Sequence, residues 1–445
     1  MVDIVPSARY FKKPKISTTL QTSINKKVDE LVGNMVNKIY IGKEVEVKKY
    51  AKELDQFDGP IVITPDIVEF AISKVSKEDK DTIQFAYKRI KKFAEAQKMS
   101  MQDTEIEINP GFFAGSKYVP VDSVGCYVPG GRYTHIASAL MGVTTAKVAG
   151  VKYIIASTPP KPEKYMYKGK VVQIPNPAVL FALKLAGANK ILCLGGVQAI
   201  ASMGFGLFNT GVIDDKPANI ICGPGNSYVT AAKRILFMDY SIGFDLIAGP
   251  TEVCILADET ANADKIAIDL VSQCEHGPDS VAVLVTTSEE IALNVSNCLP
   301  SKMNVLPEPN RSAAKTSWKN YGEIILCKSK TDVVKLSDYI ASEHLEVHAA
   351  DLNWWHNNLK NYGSLFLGEH STVAFGDKAA GPNHILPTRK AAQYTGGVYV
   401  GTFLKCLSFQ RSINKSSVKD VANATARISR LEGMEGHAIA ADARL

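Results

Sequence analysis

The chain has 445 residues, an apolar fraction of 46% and a net charge of +6 from 51 basic and 45 acidic side chains. This length exceeds one ordinary hydrophobic core, so two or three globular domains are expected. The net charge is mild, and the sequence has no basic stripe with interleaved aromatic residues. Both observations argue against nucleic-acid binding. The sequence contains no uninterrupted run of 18 apolar residues, which is about the length needed to span a membrane.

The eight cysteines indicate the compartment. None forms a Cys-x-x-Cys pair, and several lie inside apolar runs such as residues 191–194. We therefore interpret them as buried free thiols rather than as a disulfide framework or a thiolate zinc site. Because no apolar signal segment follows the charged start, we expect a cytoplasmic protein.

Four regions follow in chain order. Residues 1–32 are polar and predict an N-terminal arm that packs on another subunit. Residues 33–118 carry helical patterns and then a β-rich connection, and we group them with residues 252–390 as a first α/β domain. Residues 119–251 predict a second domain, and residues 391–445 a C-terminal arm with a tail helix at 421–431.

Short apolar strands alternate with helices in both predicted domains. This alternation predicts two incomplete Rossmann-like, doubly wound domains with mostly parallel sheets. Small-residue turns follow strands at 129–131, 195–196 and 223–226, where ligands bind in such sheets. Neither G-x-G-x-x-G nor a Walker A sequence is present. The turns are therefore equally compatible with a pyrophosphate site and with simple tight connections.

A helix is predicted from residue 266 to the Gly277-Pro278 stop. Gln273 and His276 would both lie in its last turn, three residues apart and on one face. An amide oxygen and an imidazole so placed make half of a tetrahedral metal site. The alternative is a capped helix end with a histidine placed against the helix dipole.

Two further stretches combine acids with histidines. Glu343 and His344 follow a helix and offer a carboxylate and a base that titrates near pH 7, although a helix-end histidine beside an incidental acid is the alternative. Asp377 and His384 lie in a segment rich in Gly, Ala and Pro, which is typical of a functional loop. His437 follows Glu432 near the end of the chain.

The remaining histidines are assigned to the surface. His348 has the opposite strand phase to Leu345 and Val347, so we expect it to face solvent. Surface or satisfied polar positions are also expected for the histidines at 135, 356 and 370.

Eight motifs in order resemble the histidinol dehydrogenase family from about residue 30 to the end. They are GCYVPGG at 125–131, GGVQAIA at 195–201, GPGN at 223–226, AGPTEV at 248–253, SQCEHGPDS at 272–280, EHL at 343–345, NHILPT at 383–388 and EGMEGH at 432–437.

The resemblance implies a zinc- and NAD-dependent enzyme that oxidises a primary alcohol through the aldehyde to the carboxylate. His344 would take the hydroxyl proton, and Glu343 would help to activate water. One zinc per subunit would be held by Gln273, His276, Asp377 and His437. His437 would come from the partner subunit of an intertwined homodimer, so the C-terminal arm would complete the partner's site.

The same resemblance implies further ligand contacts. The NAD contacts would be Tyr127, Gln198 and Asn226. The substrate contacts would be Thr251, His384 and Glu432, together with the four zinc ligands and His344. Thr251 stands where the family usually has Ser, which keeps the hydroxyl.

The first substrate candidate is L-histidinol, oxidised to L-histidine in histidine biosynthesis. Four stretches, at 130–138, 354–355, 362–368 and 376–381, are more similar to the family branch that includes sulfopropanediol 3-dehydrogenase. There Arg132 and His135 could meet an anionic group, unless Arg132 is only structural in its Gly-rich turn. The sequence GPDS at 277–280 keeps the histidinol-type pattern. A non-catalytic zinc-binding relative is the remaining alternative.

Overall fold

A computed structural model describes residues 4–16, 26–131, 133–211, 215–246 and 249–445. The prediction for Arg132 falls outside these ranges. The architecture is a mixed α/β fold with two mostly parallel sheets, as the alternation predicts. No helix in the described ranges combines the length and apolar character needed to cross a bilayer.

The strands in chain order are β1 (Arg9–Lys12), β2 (Thr104–Asn109), β3 (Phe112–Pro120), β4 (Ser123–Tyr127), β5 (Tyr153–Thr158), β6 (Lys164–Tyr167), β7 (Lys170–Gln173), β8 (Lys190–Cys193), β9 (Ile220–Cys222), β10 (Gly243–Phe244), β11 (Glu252–Ala257), β12 (Val281–Thr286), β13 (Glu323–Leu326), β14 (His344–His348), β15 (Ser364–Leu367) and β16 (Leu404–Ser412). The helices are α1 (Lys26–Leu54), α2 (Pro65–Ile72), α3 (Lys77–Met99), α4 (Ile136–Ala149), α5 (Pro177–Ala186), α6 (Gly196–Gly204), α7 (Ser227–Tyr240), α8 (Ala263–Cys274), α9 (Glu289–Asn304), α10 (Asn310–Tyr321), α11 (Lys330–Ile340), α12 (Leu352–Asn358), α13 (Val373–Gly376), α14 (Lys419–Leu431) and α15 (Glu435–Asp442).

The larger sheet has six strands in the order β1-β13-β12-β11-β14-β15. Strands β11 to β15 are parallel, and Val253 pairs with His344 between β11 and β14. Val253 and Ile255 face one apolar cluster, whereas Cys254 and Leu256 face another. The sheet is therefore covered on both faces, as parallel sheets require.

Part of the predicted N-terminal arm belongs to this sheet. β1 pairs antiparallel with β13 in the same chain, with Tyr10 opposite Ile325. The expectation that residues 1–32 pack on another subunit is therefore wrong for residues 9–12. The short strand RYFK hydrogen-bonds to β13 at the edge of the sheet. The polar composition of the segment did not predict this strand.

The second sheet has five parallel strands in the order β10-β9-β4-β5-β8. The turns at 129–131, 195–196 and 223–226 follow the carboxyl ends of β4, β8 and β9, so they share one edge, as predicted. Beside β8, the Ile63 amide donates to the Ile191 carbonyl at 2.9 Å and the Cys193 amide donates to Ile61 at 2.7 Å. Residues 61–63 thus extend this sheet.

Helices α1 to α3 differ from their predicted grouping. Their buried side chains, including Val36, Ile39, Ile83 and Ile90, belong to the same core as the second sheet. Grouping residues 33–118 with 252–390 therefore disagrees with the packing of these helices. Periodicity identifies the apolar face of a helix but carries no information about which sheet that face covers.

The C-terminal segment is divided between core and surface. Val400 and Phe403 are buried in the core of the second sheet, and β16 pairs antiparallel with β3 over its whole length. Beyond them, α14 and α15 pack on each other. Their outer faces leave several apolar side chains exposed: Val421, Ile428, Leu431, Met434 and Ile439.

Helix α8 brings the first predicted ligand to the site. The Asn262 side chain accepts hydrogen bonds from the Asp264 and Lys265 amides, which begins the helix. The helix ends at Cys274, so Gln273 lies in its last turn, whereas His276 lies just beyond it. This corrects the predicted helix end, and a turn from the His276 amide to the Gln273 carbonyl, 3.3 Å long, keeps the two residues close.

Candidate active site and metal centre

The site forms where β11 and β14 begin and α8 ends. Thr251 directly precedes β11, Glu343 directly precedes β14, and Gln273 is in the last turn of α8. The rule that ligands bind at the carboxyl ends of parallel strands describes the Gly-rich turns of the second sheet but not these positions. Instead, the amino end of β14 supplies the acid and the histidine, and the amino end of the adjacent β11 supplies Thr251.

The Glu343–His344 pair is held by neighbouring backbone and hydroxyl groups. The Thr251 hydroxyl donates to Glu343 Oε2 at 2.5 Å, and the Glu252 amide donates to the same oxygen at 2.9 Å. His344 Nδ1 lies 3.0 Å from the Glu252 carbonyl and 3.5 Å from Glu343 Oε2. Because a carbonyl only accepts, Nδ1 carries the hydrogen of the neutral ring, and Nε2 is the nitrogen that gains or loses the second proton.

Asp377 is the meeting point of three histidines. Its carboxylate oxygens lie 3.5 Å from His344 Nε2, 3.8 Å from His276 Nε2 and 4.0 Å from His384 Nδ1. The Asp377 carbonyl accepts from His384 Nδ1 at 2.9 Å. His384 Nε2 therefore accepts from the Ser138 hydroxyl, 2.8 Å away. The structure thus brings together predicted residues that lie more than a hundred positions apart in the chain.

Burial and charge shift the protonation of this cluster. Burial alone would raise the pKa of Asp377, but the hydrogen bond and charge of His344 outweigh it, so the pKa lies below its ordinary value. Burial likewise opposes a charged His344, yet Glu343 and Asp377 raise its pKa to about 9. Burial raises the pKa of Glu343 and lowers the pKa values of His276 and His384.

The donor set fits a zinc ion. Gln273 is 1% exposed, and its Nε2 donates to the Thr251 hydroxyl at 2.7 Å. Its Oε1 is buried and has no hydrogen-bond partner among the described residues. This amide oxygen, the His276 imidazole and the Asp377 carboxylate, whose Nε2 and Oδ2 lie 3.8 Å apart, are the types of nitrogen and oxygen ligand that zinc accepts. His276 and Asp377 are thus adjacent, and Gln273 is linked to Asp377 through Thr251, Glu343 and His344.

Glu432 and His437 are not brought to this site within the chain. Glu432 is the cap residue that follows α14, His437 lies in α15, and both are exposed. The prediction that they complete the site of a partner subunit stays a prediction.

The predicted NAD residues lie along the edge of the second sheet. The Tyr127 hydroxyl accepts from the Gly196 amide at 3.2 Å. Gln198 Nε2 donates to Asp55 Oδ2 at 2.9 Å, while Gln198 Oε1 is buried without a partner in the described residues. Asn226 is exposed and caps α7. The unpaired Gln198 oxygen fits a ligand at this edge, and the NAD contacts remain predictions.

Sequence reasoning missed a buried cluster of Asp269, Glu346 and His348, whose ligand atoms all lie within 4.8 Å of one another. The prediction that His348 faces solvent is wrong, because His348 is 2% exposed. Strand phase separates core from solvent only when one face of a sheet is open, and here both faces are covered. Asp55, which lies in no motif, and Ser138, which ends the stretch at 130–138, were also not predicted as site residues.

The four histidines assigned to the surface therefore divide. His356 and His370 are exposed, as expected. His135 is partly buried, and burial together with the nearby His384 and Lys378 lowers its pKa to about 4. Of the eight cysteines, six are buried and all are unpaired, with Cys298 partly exposed and Cys406 exposed.

These features define the class of protein. An α/β fold with two mostly parallel sheets carries an acid–histidine pair at the amino end of β14, next to an aspartate on which three histidines converge. The sequence profile described as histidinol dehydrogenase matches residues 19–445. The chain belongs to the histidinol dehydrogenase family.

Individual relatives support the assignment across the whole length. The chain is 48% identical to "Histidinol dehydrogenase homolog" of Pelagibacter ubique, over 98% of this chain and 97% of that protein. It is 47% identical to "Sulfopropanediol 3-dehydrogenase" of Ruegeria pomeroyi, over 98% and 96%. The crystal structure of histidinol dehydrogenase from Elizabethkingia anophelis superposes with a TM-score of 0.86 at 32% identity, covering 94% and 92%.

Proposed function

We propose that this protein is a zinc-dependent, NAD-linked oxidoreductase that converts a primary alcohol through the aldehyde to the carboxylate. The observation that carries the proposal is one continuous set of contacts. It runs from Gln273 through Thr251 to Glu343, and from Glu343 through His344 to Asp377. A proton acceptor, a second carboxylate and metal-type donors therefore share a single buried site.

The fixed tautomer of His344 defines its proposed role. Since Nδ1 donates to the Glu252 carbonyl, Nε2 is the atom that loses and regains a proton. In the neutral ring it takes the alcohol proton as hydride leaves the carbon, and alkaline pH favours that form because Glu343 and Asp377 raise the pKa of His344 to about 9. Glu343, held by Thr251 and the Glu252 amide, is placed to take a proton from the water that adds to the aldehyde. Burial of both groups shelters the aldehyde from bulk water.

Two groups would be bound from outside the chain. Zinc held by Gln273, His276, Asp377 and the partner's His437 would supply a Lewis acid that orients the substrate. NAD, in contact with Tyr127, Gln198 and Asn226, would accept a hydride in each of two oxidations.

Among substrates, we place a small anionic primary alcohol ahead of L-histidinol, the first candidate from sequence. The chain is 47% identical to a sulfopropanediol 3-dehydrogenase and 32% identical to a histidinol dehydrogenase. Arg389 also adjoins the residues that flank Thr251, since its Nε donates to the Gly249 carbonyl at 2.9 Å and its amide donates to Glu252 Oε1 at 2.9 Å. A guanidinium there would attract a sulfonate or carboxylate and repel the amine of L-histidinol.

A panel of primary alcohols tests the proposal. Purified protein with zinc and NAD should release two NADH for each alcohol oxidised to the acid, with sulfopropanediol ahead of L-histidinol. His344→Asn should abolish NADH release while zinc binding is retained, because the proton acceptor is lost and the donor set is intact. Zinc binding without turnover of any alcohol would favour a non-catalytic relative. Turnover in His344→Asn would exclude His344 as the base.

A further inference from the structure

Outside the reacting site, Asp269, Glu346 and His348 form a polar triad. The side chains of Glu346 and His348 are 0% and 1% exposed, and that of Asp269 is 14% exposed. His348 Nε2 lies 3.4 Å from Glu346 Oε2 and 3.7 Å from Asp269 Oδ2. Burying two carboxylates and a histidine costs free energy unless hydrogen bonds or ion pairs offset it. The partners of this triad therefore indicate what it does.

The other carboxylate oxygens of the triad hold the start of α13. Glu346 Oε1 accepts from the Val373 amide at 2.7 Å, and Asp269 Oδ1 accepts from the Thr372 hydroxyl at 2.8 Å. Thr372 also caps α13. One turn later, the Asp377 amide donates to the Val373 carbonyl at 2.8 Å. The triad is therefore linked through one short helix to the carboxylate on which three histidines converge.

The triad also shares elements with two other site residues. Asp269 lies one helical turn before Gln273 on α8, so the two side chains leave the same face. Glu346 lies two residues after His344 on β14, so these side chains also share a face. The three elements that carry Gln273, His344 and Asp377 thus meet at the triad.

We propose that Asp269, Glu346 and His348, together with Thr372, are positioning residues that fix Asp377 and Gln273 for zinc. The inference rests on the zinc site proposed above. One oxygen of each carboxylate in the triad already accepts a hydrogen bond from α13 or its cap residue Thr372, so it is less available to a metal ion. The triad therefore acts as a hydrogen-bonded support rather than as a second metal site.

Thr372 provides the cleanest test, because it lies outside the site and has an isosteric variant. Thr372→Val removes the hydroxyl that bonds Asp269, whereas Thr372→Ser keeps it. We expect the valine variant to bind zinc about 10-fold more weakly, the lower end of the effect of losing a hydrogen bond made directly to a metal ligand, because Thr372 acts one bond further out, and the serine variant to bind as the wild type does. Zinc affinity is measured on the full-length protein by competition with a chromophoric chelator, without reference to activity.

Thermal unfolding of the zinc-free variants separates positioning from folding. Thr372→Val should unfold cooperatively and bind zinc more weakly than the wild type, and Thr372→Ser should bind zinc with wild-type affinity. Wild-type zinc affinity in Thr372→Val would overturn it. Two zinc ions per chain, one of them lost in His348→Ala, would also overturn it by showing that the triad is a metal site.

An independent variant distinguishes failure of this inference from failure of the proposed zinc site. Asp377→Ala should abolish zinc binding if the proposed site is right. Zinc binding lost in Asp377→Ala but unchanged in Thr372→Val would reject only the positioning role. Zinc binding unchanged in Asp377→Ala would reject the site itself, and the inference with it. If Thr372→Val is too unstable to purify, Asp269→Asn, which keeps an acceptor for Thr372, is compared with Asp269→Ala by the same titration.

Discussion

At the scale of single residues, the chemistry depends on which donor or acceptor atom of each side chain remains free once its structural hydrogen bonds are made. Thr251 donates to Glu343 and accepts from Gln273, so one hydroxyl orients an acid and an amide together. The amide oxygen of Gln273 is consequently left without a hydrogen-bond partner among the described residues. His344 is fixed in the same way by the Glu252 carbonyl. These constraints follow from the donor and acceptor inventory of each group.

Arg389 carries the residue-scale prediction about the substrate. Arg389 and Lys390 both have left-handed backbones, with φ of 54° and 65°, a conformation that costs energy for residues other than glycine. The two bonds from Arg389 to Gly249 and Glu252 hold that conformation. Arg389→Gln should raise KM for an anionic alcohol about 10-fold or more, because a charge-assisted hydrogen bond is lost.

The matched control for Arg389 is the neighbouring cation. Lys390 lies over the Tyr339 ring and is expected to leave KM unchanged when it is replaced by glutamine. Steady-state kinetics with alcohol and NAD varied in turn show where the guanidinium acts. An increase confined to KM for NAD would reassign Arg389 to a cofactor phosphate, and unchanged constants would remove it from recognition.

At the scale of elements, the turn at 223–226 is held by a buried ion pair. Asp245 accepts from the Gly223 amide at 2.8 Å, and Lys233 donates to the Gly223 carbonyl at 2.9 Å and to Asp245 at 2.5 Å. Both charged side chains are fully buried. Gly223 has φ of 128°, and an added Cβ would lie 2.1 Å from the Tyr127 carbonyl. The predicted NAD contact Asn226 therefore follows a tightly fixed backbone.

Asp245→Asn should destabilise the fold by about 3–5 kcal/mol, since it leaves the Lys233 charge buried without its partner. Denaturant-induced unfolding, followed by circular dichroism, measures the loss. The exposed pair of Asp66 and Lys168 is the control, and Asp66→Asn should leave the transition midpoint essentially unchanged. Equal effects of the two substitutions would contradict the assigned importance of burial.

At the scale of the whole molecule, the two sheets divide the work. The six-stranded sheet presents the acid–histidine pair and α8, whereas the five-stranded sheet presents the Gly-rich turns. The C-terminal helices expose an apolar surface and carry the predicted ligand His437. A second copy of the chain would cover that surface and receive the histidine, as an intertwined homodimer requires.

Mixing two inactive variants tests this arrangement. His344→Asn and His437→Ala should each lack activity alone. After joint unfolding and refolding, a mixed dimer contains one site with both His344 and the partner's His437, so NADH release should return. Light scattering should give the mass of a dimer. No recovery in mixed dimers of confirmed composition would show that His437 serves its own chain or no site.

How much could be predicted depended on whether a feature is local. Strand and helix alternation predicted the α/β fold, and the tail helix predicted at 421–431 lies within α14, Lys419–Leu431. Local periodicity failed for α1 to α3, which cover a different sheet from the one expected, and for His348, whose strand has two buried faces. The partner of an apolar face is a property of the assembled chain.

The sequence by itself determined the chemical types at the site: a Glu–His pair, a Gln and a His near one helix end, and an Asp in a small-residue loop. Motif order determined the family, because eight stretches in sequence are far more specific than any one of them. Only the tertiary structure decided that Asp377 lies beside three histidines, that Thr251 links Gln273 to Glu343, and that Asp269, Glu346 and His348 support them. Distances between residues far apart in the chain are set by packing of the sheets, which no local spacing encodes.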